Sequence, residues 1–483
     1  MLECTSMGQG HDVTTSSEGC NGSADKGREF DVIVLGAGPA GEVCAGRLAE
    51  AGLAVALVER ELIGGECSYY ACMPSKGLLR PAQALAEVRR VRGAAEAVTG
   101  ELDVGAVLAR RDEMIHGLDD SAQLPWLRDR GIELLRGHGE LAGERSVCVG
   151  ETVLTARKAV VLAPGSRAAM PPIDGLELAE PWGNREATTA HAIPASLLVL
   201  GGGVVAVELA QAYATLGARV RLIERVDRLI EREEPFAAEL VREALEGDGV
   251  EVVLGAQARA VQRETSGVGR GAVKIELEDG RTLSGEQLLV ATGREPRTEN
   301  LGLESVGLKG GGYIEVDEQL RVPGRDWLYA IGDANGHVLL THMGKYQARL
   351  AADAILGKPG ELRSDGLLSP RVIFTEPQVA AVGHTLASAH SAGLSVRAVD
   401  QSLKNAGETF VGHGAPGTAR LVIDNERGTI LGATFVGVEV AEFLHAATIA
   451  VIGEVPLARL AHAVPAFPTR SEVWLGLLSQ ALA

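Results

Sequence analysis

Cysteine is scarce in this chain. There are six in 483 residues: Cys4, Cys20, Cys44, Cys67, Cys72 and Cys148. That density does not make a disulfide scaffold. Apolar runs of about 18 uninterrupted residues are absent, which excludes a membrane-spanning helix. The longest candidate, Leu197 to Ala210, is broken by three glycines and Glu208. Basic runs are absent too. Against 46 Lys and Arg stand 64 Asp and Glu, for a formal charge of −18. Such a protein repels phosphate, so nucleic-acid binding by bulk positive charge is excluded. Residues 1–29 are polar and rich in Gly and Ser. They lack the apolar core of a signal peptide and the Arg-rich character of a transit peptide. They read as a flexible tail on a soluble cytoplasmic protein, with Cys4 and Cys20 as incidental thiols. What is present is apolar content of 46%, enough for several cores and too much for whole-chain disorder. The length points to two to four domains at roughly 100–200 residues each.

One repeat organises the chain. The first copy is Phe30-Asp-Val-Ile-Val-Leu-Gly36-Ala-Gly38-Pro-Ala-Gly41. The second is Ser196-Leu-Leu-Val-Leu-Gly201-Gly-Gly203-Val-Val-Ala206. In each, an acid follows 23 positions after the first glycine, Glu59 and Glu224, and ends a second apolar run. The order is strand, tight turn, helix, strand, acid, twice over. The first glycine permits the turn, the second lets a pyrophosphate reach the backbone, and the third position must be small for helix–strand packing. The helix N-terminus then holds phosphate charge, and the acid accepts ribose hydroxyls. Two copies in register predict two dinucleotide sites.

Further apolar runs end in glycine turns: Ala159 to Gly165-Ser166, and Leu288 to Gly293-Arg294. They predict chain crossings between domains. Trp327 to Gly332-Asp333 reads as a strand with a carboxylate at its carboxyl end, a place that suits a ligand hydroxyl. A turn-capping Asp is the plainer alternative. From about Arg371 the pattern changes to the strands Val372–Thr375, Ala419–Asp424 and Ile430–Val436, with a helix over Ala441–Ile452. No third phosphate loop occurs there, so this is a separate α+β domain for assembly.

The sharpest chemical feature is Gly64-Gly65-Glu66-Cys67-Ser-Tyr-Tyr-Ala-Cys72-Met-Pro74-Ser-Lys76. It follows Glu59 closely and so belongs beside the first dinucleotide. A disulfide needs Cα atoms within roughly 7 Å, so the intervening segment must turn or coil. Pro74 suits the start of a helix over about Ser75–Leu79. A cysteine at a helix N-terminus has its thiolate stabilised, which favours Cys72 over Cys67 as the low-pKa thiol. No further Cys or His lies nearby for zinc. Two small buried residues are the plain alternative.

With these motifs the chain resembles the FAD-dependent pyridine nucleotide–disulfide oxidoreductases, the group of dihydrolipoamide dehydrogenase, glutathione reductase and mercuric reductase. The likeness spans about residues 30 to 475 and includes Ala-Thr-Gly-Arg at 291–294, Ala-Ile-Gly-Asp at 330–333 and Phe-Thr-Glu-Pro at 374–377. It implies an α/β fold with two Rossmann-like domains and a C-terminal α+β dimerisation domain. The implied segmentation is 30–172 for FAD, 173–292 for NAD(P), 293–366 as the continuation of the FAD domain, and 367–483 for dimerisation. Gly36, Gly38, Gly41 and Glu59 would hold the ADP half of FAD, and Asp333 its ribityl chain. Gly201, Gly203 and Glu224 would hold the nicotinamide cofactor. Cofactor contacts are also implied for Gly65, Gly165, Gly293 and Arg294. Lys76 and Glu208 match the family's ion pair beside the flavin. Cys72 would face the flavin, and Cys67 would be the outer thiol that meets a small disulfide or electrophilic acceptor. The enzyme would be a homodimer, each C-terminus reaching the partner's active site.

Three departures stand out. The family's acid/base histidine lies in His-Pro-Thr-x-x-Glu; here the stretch is Phe467-Pro468-Thr469-Arg470-Ser471-Glu472. Phenylalanine carries no proton, and Glu472, the residue that orients the histidine, is left without its usual partner. An acid/base group contributes roughly 10²–10⁴-fold, so fast lipoamide or glutathione turnover is not expected. His462 matches no catalytic position. Second, Tyr69 and Tyr70 lie between the cysteines. They either narrow access and stack on a planar substrate, or pack in the core with bonded hydroxyls. Third, no cysteine lies near the C-terminus, unlike typical mercuric reductases. Glu224 favours NAD, while Arg225, Arg228 and Ala206 leave NADP open. Two other functions stay open: an NAD(P)H:quinone or dye reductase acting directly from the flavin, and a flavin-bound redox sensor.

Overall fold

The computed structural model describes residues 28–265, 270–358, 360–412 and 417–483. Cys4 and Cys20 lie outside the described residues. The run around Phe30 forms the strand Arg28–Leu35, at the middle of an eight-stranded sheet. Its parallel neighbours are Val55–Glu59 and Thr152–Leu162, flanked by Glu133–Arg136 and Arg325–Ala330. Strands buried on both faces read as continuous apolar runs, as these do. Val32, Val34 and Leu57 pack one face, and Ile33, Ala56 and Val160 the other. Each fully buried Val, Leu or Ile contributes about 1.5–3 kcal/mol.

The second unit repeats the plan. Four parallel strands run in the order Glu251–Val253, Arg219–Ile223, Ser196–Leu200, Gln287–Val290. An antiparallel three-stranded sheet, beginning with Ala258–Thr265, packs beside it. The two glycine-turn runs meet: Ser166–Ala168 pairs antiparallel with Arg294–Pro296 and joins the units. The C-terminal part is an antiparallel five-stranded sheet with helices, its centre at Gln378–Gly383 and Ile430–Gly437. The predicted helix at 441 begins as a 3-10 turn, Val440–Phe443, and continues as Leu444–Ile452.

The described α-helices ahead of the C-terminal part are α1 (Pro39–Glu50), α2 (Gly65–Tyr69), α3 (Cys72–Arg90), α4 (Val104–Met114), α5 (Leu124–Asp129), α6 (Asn184–Thr189), α7 (Val204–Thr215), α8 (Pro235–Gly247) and α9 (Thr341–Ile355). Helix α3 is far longer than the five residues predicted from Ser75 to Leu79. Pro81 lies inside it and provides no N–H. The carbonyl this frees, on Gly77, takes a hydrogen bond from the Arg110 guanidinium at 3.3 Å, and the helix runs on.

The C-terminal sheet is locked to the rest by polar contacts. Arg371 pairs with buried Glu233 at 2.6 Å and Arg420 with buried Glu234 at 3.0 Å. Gln83 of α3 and Gln211 of α7 donate to the carbonyls of Phe374 and Glu376, at 2.7 and 2.9 Å. Helices α3 and α7 and the strand end at 374 therefore share one seam. No described helix is long and apolar enough to cross a membrane.

Candidate active site

The segment between the cysteines does turn. Gly64, with φ +107°, starts the short α2, and Ala71 re-aims the chain so that Cys72 is the first residue of α3. Cys67 and Cys72 are part-buried free thiols. The Thr341 hydroxyl lies 3.0 Å from the Cys67 sulfur and 3.4 Å from the Cys72 sulfur. Thr341 is the first residue of α9, so two helix N-termini converge on the sulfurs. Positive helix ends favour a thiolate there. The Cys72 thiol is lowered to about 6, first by the hydrogen bond from Cys67, then by Thr341 and Lys76, against burial and Glu208. The Cys67 thiol is pushed up by that same hydrogen bond and by burial. The hydrogen bond between the sulfurs and the positive charge of Lys76 thus favour Cys72 over Cys67 as the thiolate.

One turn along α3, Lys76 pairs with Glu208 of α7 at 2.7 Å. The other Glu208 oxygen accepts the Phe374 N–H at 2.8 Å, and the lysine stands 4.7 Å from the Phe374 ring centre. Glu208 is buried, and a buried carboxylate needs such partners. The ion pair links α3 to α7, one helical turn from Cys72.

Both predicted glycine turns form, each leading into a helix. A Cβ on Gly38 or Gly203, each the N-cap of its helix, would meet nothing within 4 Å. That open space is where a pyrophosphate needs access. Gly65 backs the first cradle, its missing Cβ 2.9 Å from the Gly38 Cα. Glu59 accepts N–H groups from Ala37 and Glu61, both at 2.7 Å. Asp333 accepts the Ser166 hydroxyl, and burial raises its carboxyl. Arg294 donates to the same hydroxyl at 2.7 Å. Gly165 and Gly293 open onto free space beside them. These residues fit FAD in the first cradle and a nicotinamide dinucleotide in the second. Glu224 lines the second cradle, 2.9 Å from where a Gly202 Cβ would stand.

Known proteins match this arrangement. The model for the pyridine nucleotide-disulphide oxidoreductases covers residues 30–352, and the model for their dimerisation domain covers 369–477. The chain belongs to the pyridine nucleotide-disulphide oxidoreductase family. It is 33% identical to a dihydrolipoyl dehydrogenase of Thermus scotoductus, over 92% of this chain and 96% of that protein. It is 32% identical to a mercuric reductase of Acidithiobacillus ferrooxidans, over 94% of this chain and 83% of that protein. Among solved structures, the HOCl-induced flavoprotein disulfide reductase RclA of Escherichia coli superposes with a TM-score of 0.82 at 24% identity, over 93% of this chain and 99% of RclA. LpdA of Mycobacterium tuberculosis gives 0.81 at 24%, over 94% of this chain and all of LpdA. These two structures show a shared fold. Family membership makes the chain an FAD-dependent, NAD(P)H-linked oxidoreductase of the disulfide reductase type, and its dimerisation domain supports a homodimer.

Against the family pattern, Phe467 is exposed, at 76% of its surface. Glu472 is occupied elsewhere: its carboxylate accepts the Gly407 N–H at 3.0 Å. His462 is an exposed residue. The two tyrosines lie in different surroundings. Tyr69 is buried, while Tyr70 is part-exposed with the Arg185 guanidinium 4.4 Å from its ring centre. Sequence reasoning missed Thr341, Asn184 and Arg185, which no local motif marks. Glu66 and Ser166 were in plain sight within motifs, but their partners were not.

Proposed function

We propose that this homodimeric flavoenzyme reduces a small disulfide or other electrophilic acceptor with the Cys67–Cys72 dithiol, at the expense of NADH. The observation that carries the reading is the Thr341 hydroxyl within reach of both sulfurs, beside one lowered and one raised thiol. Gly36, Gly38, Gly41, Gly65, Glu59 and Asp333 hold FAD; Gly201, Gly203 and Glu224 hold the nicotinamide cofactor; Gly165, Gly293 and Arg294 shape the passage between them. FAD, when bound, supplies the two-electron relay between nicotinamide and sulfur.

The chain's own chemistry is thiol–disulfide exchange. The Cys67 proton passes to Cys72 along the hydrogen bond between them, the Cys67 thiolate attacks one sulfur of the acceptor to form a mixed disulfide, and the first thiolate takes that proton from Cys72 and leaves as a thiol. The Cys72 thiolate then attacks the Cys67 sulfur, closes the Cys67–Cys72 disulfide and releases the second thiolate. Two electrons leave the dithiol and two sulfurs of the acceptor are reduced. Thr341 steadies the sulfurs through both steps. Lys76, pinned by Glu208, keeps a positive charge near the Cys72 thiolate. Phe467 offers no proton, so the cysteine pair itself protonates the first leaving thiolate, and acceptors whose thiols are acidic enough to leave as thiolates are favoured.

NADH is the favoured donor. Glu224 brings a carboxylate to the ribose end of its cradle, and Arg228 is turned away to the Glu231 carbonyl at 2.6 Å. A reducing compartment such as the cytoplasm suits a working dithiol. An anaerobic NADH titration followed in the visible spectrum tests the function. Four-electron uptake with a long-wavelength thiolate band is the expected result, and Cys67→Ser abolishes disulfide turnover. Two-electron uptake with no such band, and unchanged turnover in Cys67→Ser, would overturn it. A quinone or dye reductase acting from the flavin is the second reading, and Phe467 in place of a proton carrier is the observation in its favour.

A further inference from the structure

The turn that brings Cys67 to Cys72 is held from outside. Helix α2 has only five residues, and a helix that short does not sustain itself. Most of its grip comes from α6, which leads into the second unit, while Arg297 adds a longer ion pair to Glu66 at 3.3 Å. Asn184 donates to a Glu66 carboxylate oxygen at 2.9 Å and to the Tyr70 carbonyl at 2.8 Å. The Thr188 hydroxyl donates to the same carbonyl at 3.0 Å. Arg185 pairs with Glu66 at 2.5 Å and Glu61 at 2.7 Å, and lies over the Tyr70 ring. Glu66 and Tyr70 flank Cys67, at the start and the end of the turn.

Helix α6 is itself pinned. The fully buried Arg111 of α4 donates to the carbonyls of Thr188 and Ala190, at 2.5 and 2.9 Å. The Tyr213 hydroxyl of α7 donates to the Ala187 carbonyl at 2.6 Å. The grip therefore has a rigid base, and the short turn is the part that would relax without it.

We propose that Arg185 and Asn184 are positioning residues that hold the Glu66–Tyr70 turn, keep the Cys67 thiol against the Cys72 sulfur, and so keep Cys72 reactive. Neither residue touches a sulfur; both act through the turn. The proposal rests on the dithiol reading above. Arg185 supplies two constraints at once, an ion pair to each of two carboxylates and a planar cover on Tyr70, which a guanidinium does and an ammonium does only in part.

The test is a pH titration of thiolate ultraviolet absorbance in the reduced holoenzyme, with Cys72→Ser as the baseline. The wild-type midpoint is expected near 6, where Cys72 is placed by its neighbours. In Arg185→Ala the Cys67 hydrogen bond loosens, and the midpoint moves up by about one pH unit, toward an ordinary thiol near 8.5. The thiolate fraction at pH 6 then falls about fivefold. Arg185→Lys restores part of the shift. Thr188→Val, nearly isosteric, moves the midpoint the same way by less and covers the case in which Arg185→Ala does not fold. An unmoved midpoint in folded, flavin-loaded Arg185→Ala and Thr188→Val would make α6 a mere scaffold and overturn the proposal. A wild-type midpoint already near 8.5 would instead overturn the dithiol reading beneath it.

Discussion

The two phosphate cradles share a plan and differ at the positions that follow the turn. In the first, a Cβ on Gly41 would sit 1.9 Å from the Gly36 carbonyl oxygen, so nothing larger than glycine fits. In the second, the same position is Ala206, fully buried and accommodated. One residue on, the first cradle has Glu42 and the second Val207. Burial raises the Glu42 carboxyl to about 7, against Lys345, while Val207 is a plain core residue. One further on, the first has Val43 and the second Glu208, the acid that reaches across to Lys76. The first cradle is thus the tighter fit around its turn. The second spends a helix position on tying its unit to the redox site. A shared loop motif leaves the flanking helix free to specialise.

Breaking the tight turn has the largest expected effect. Gly41→Ala costs about 3 kcal/mol or more and yields protein without flavin, whereas Ala206→Gly costs about 1 kcal/mol. Thermal melts and flavin absorbance compare them; equal losses would erase the asymmetry. Next comes the helix acid. Glu208→Val leaves the partly exposed Lys76 unpaired and costs about 2 kcal/mol, less than a fully buried charge would. Adding Lys76→Met recovers most of that loss. A double variant as unstable as the single one would mean that the pair is not what ties α3 to α7.

Glu42 supplies a pH test. Its raised carboxyl means that the folded state keeps a proton the unfolded chain releases above about 4.3. The stability tied to that proton is full below about pH 4.3 and is lost as pH rises through about 7. The stability advantage of Glu42→Gln over the parent therefore grows between pH 5 and 8, by about 2.5 kcal/mol. An advantage independent of pH would show that Glu42 is not held protonated. The smallest effect on stability belongs to Gly203→Ala, whose new methyl enters open space. The melting temperature stays put while KM for the nicotinamide cofactor rises about tenfold, because the methyl occupies the pyrophosphate approach. A KM left unchanged would move the cofactor away from this cradle.

Much of this was legible beforehand. The repeat from Gly36 and from Gly201 marks strand, turn, helix and acid by local chemistry, and the sheets follow it. The turn between Cys67 and Cys72 followed from disulfide reach, and the preference for Cys72 as thiolate from its place at a helix start. The length of α3 was not legible, because it continues past Pro81, whose freed carbonyl on Gly77 is served by Arg110 from another helix. The fates of Tyr69 and Tyr70 were not legible either, since adjacent residues of one type point to different surroundings once the turn forms.

The sequence by itself determined two dinucleotide cradles, a cysteine pair beside the first, and a C-terminal domain of another character. These rest on spacings of a few residues, set by helix and strand periods and by which side chains a tight turn admits. Only the tertiary structure decided what touches the sulfurs. Thr341 comes to Cys67 from 274 positions away, and Glu208 to Lys76 from 132. Helix α6 reaches the redox turn from far along the chain. Hydrogen bonds and ion pairs act over about 3 Å, and no local pattern records which distant segment will close that gap.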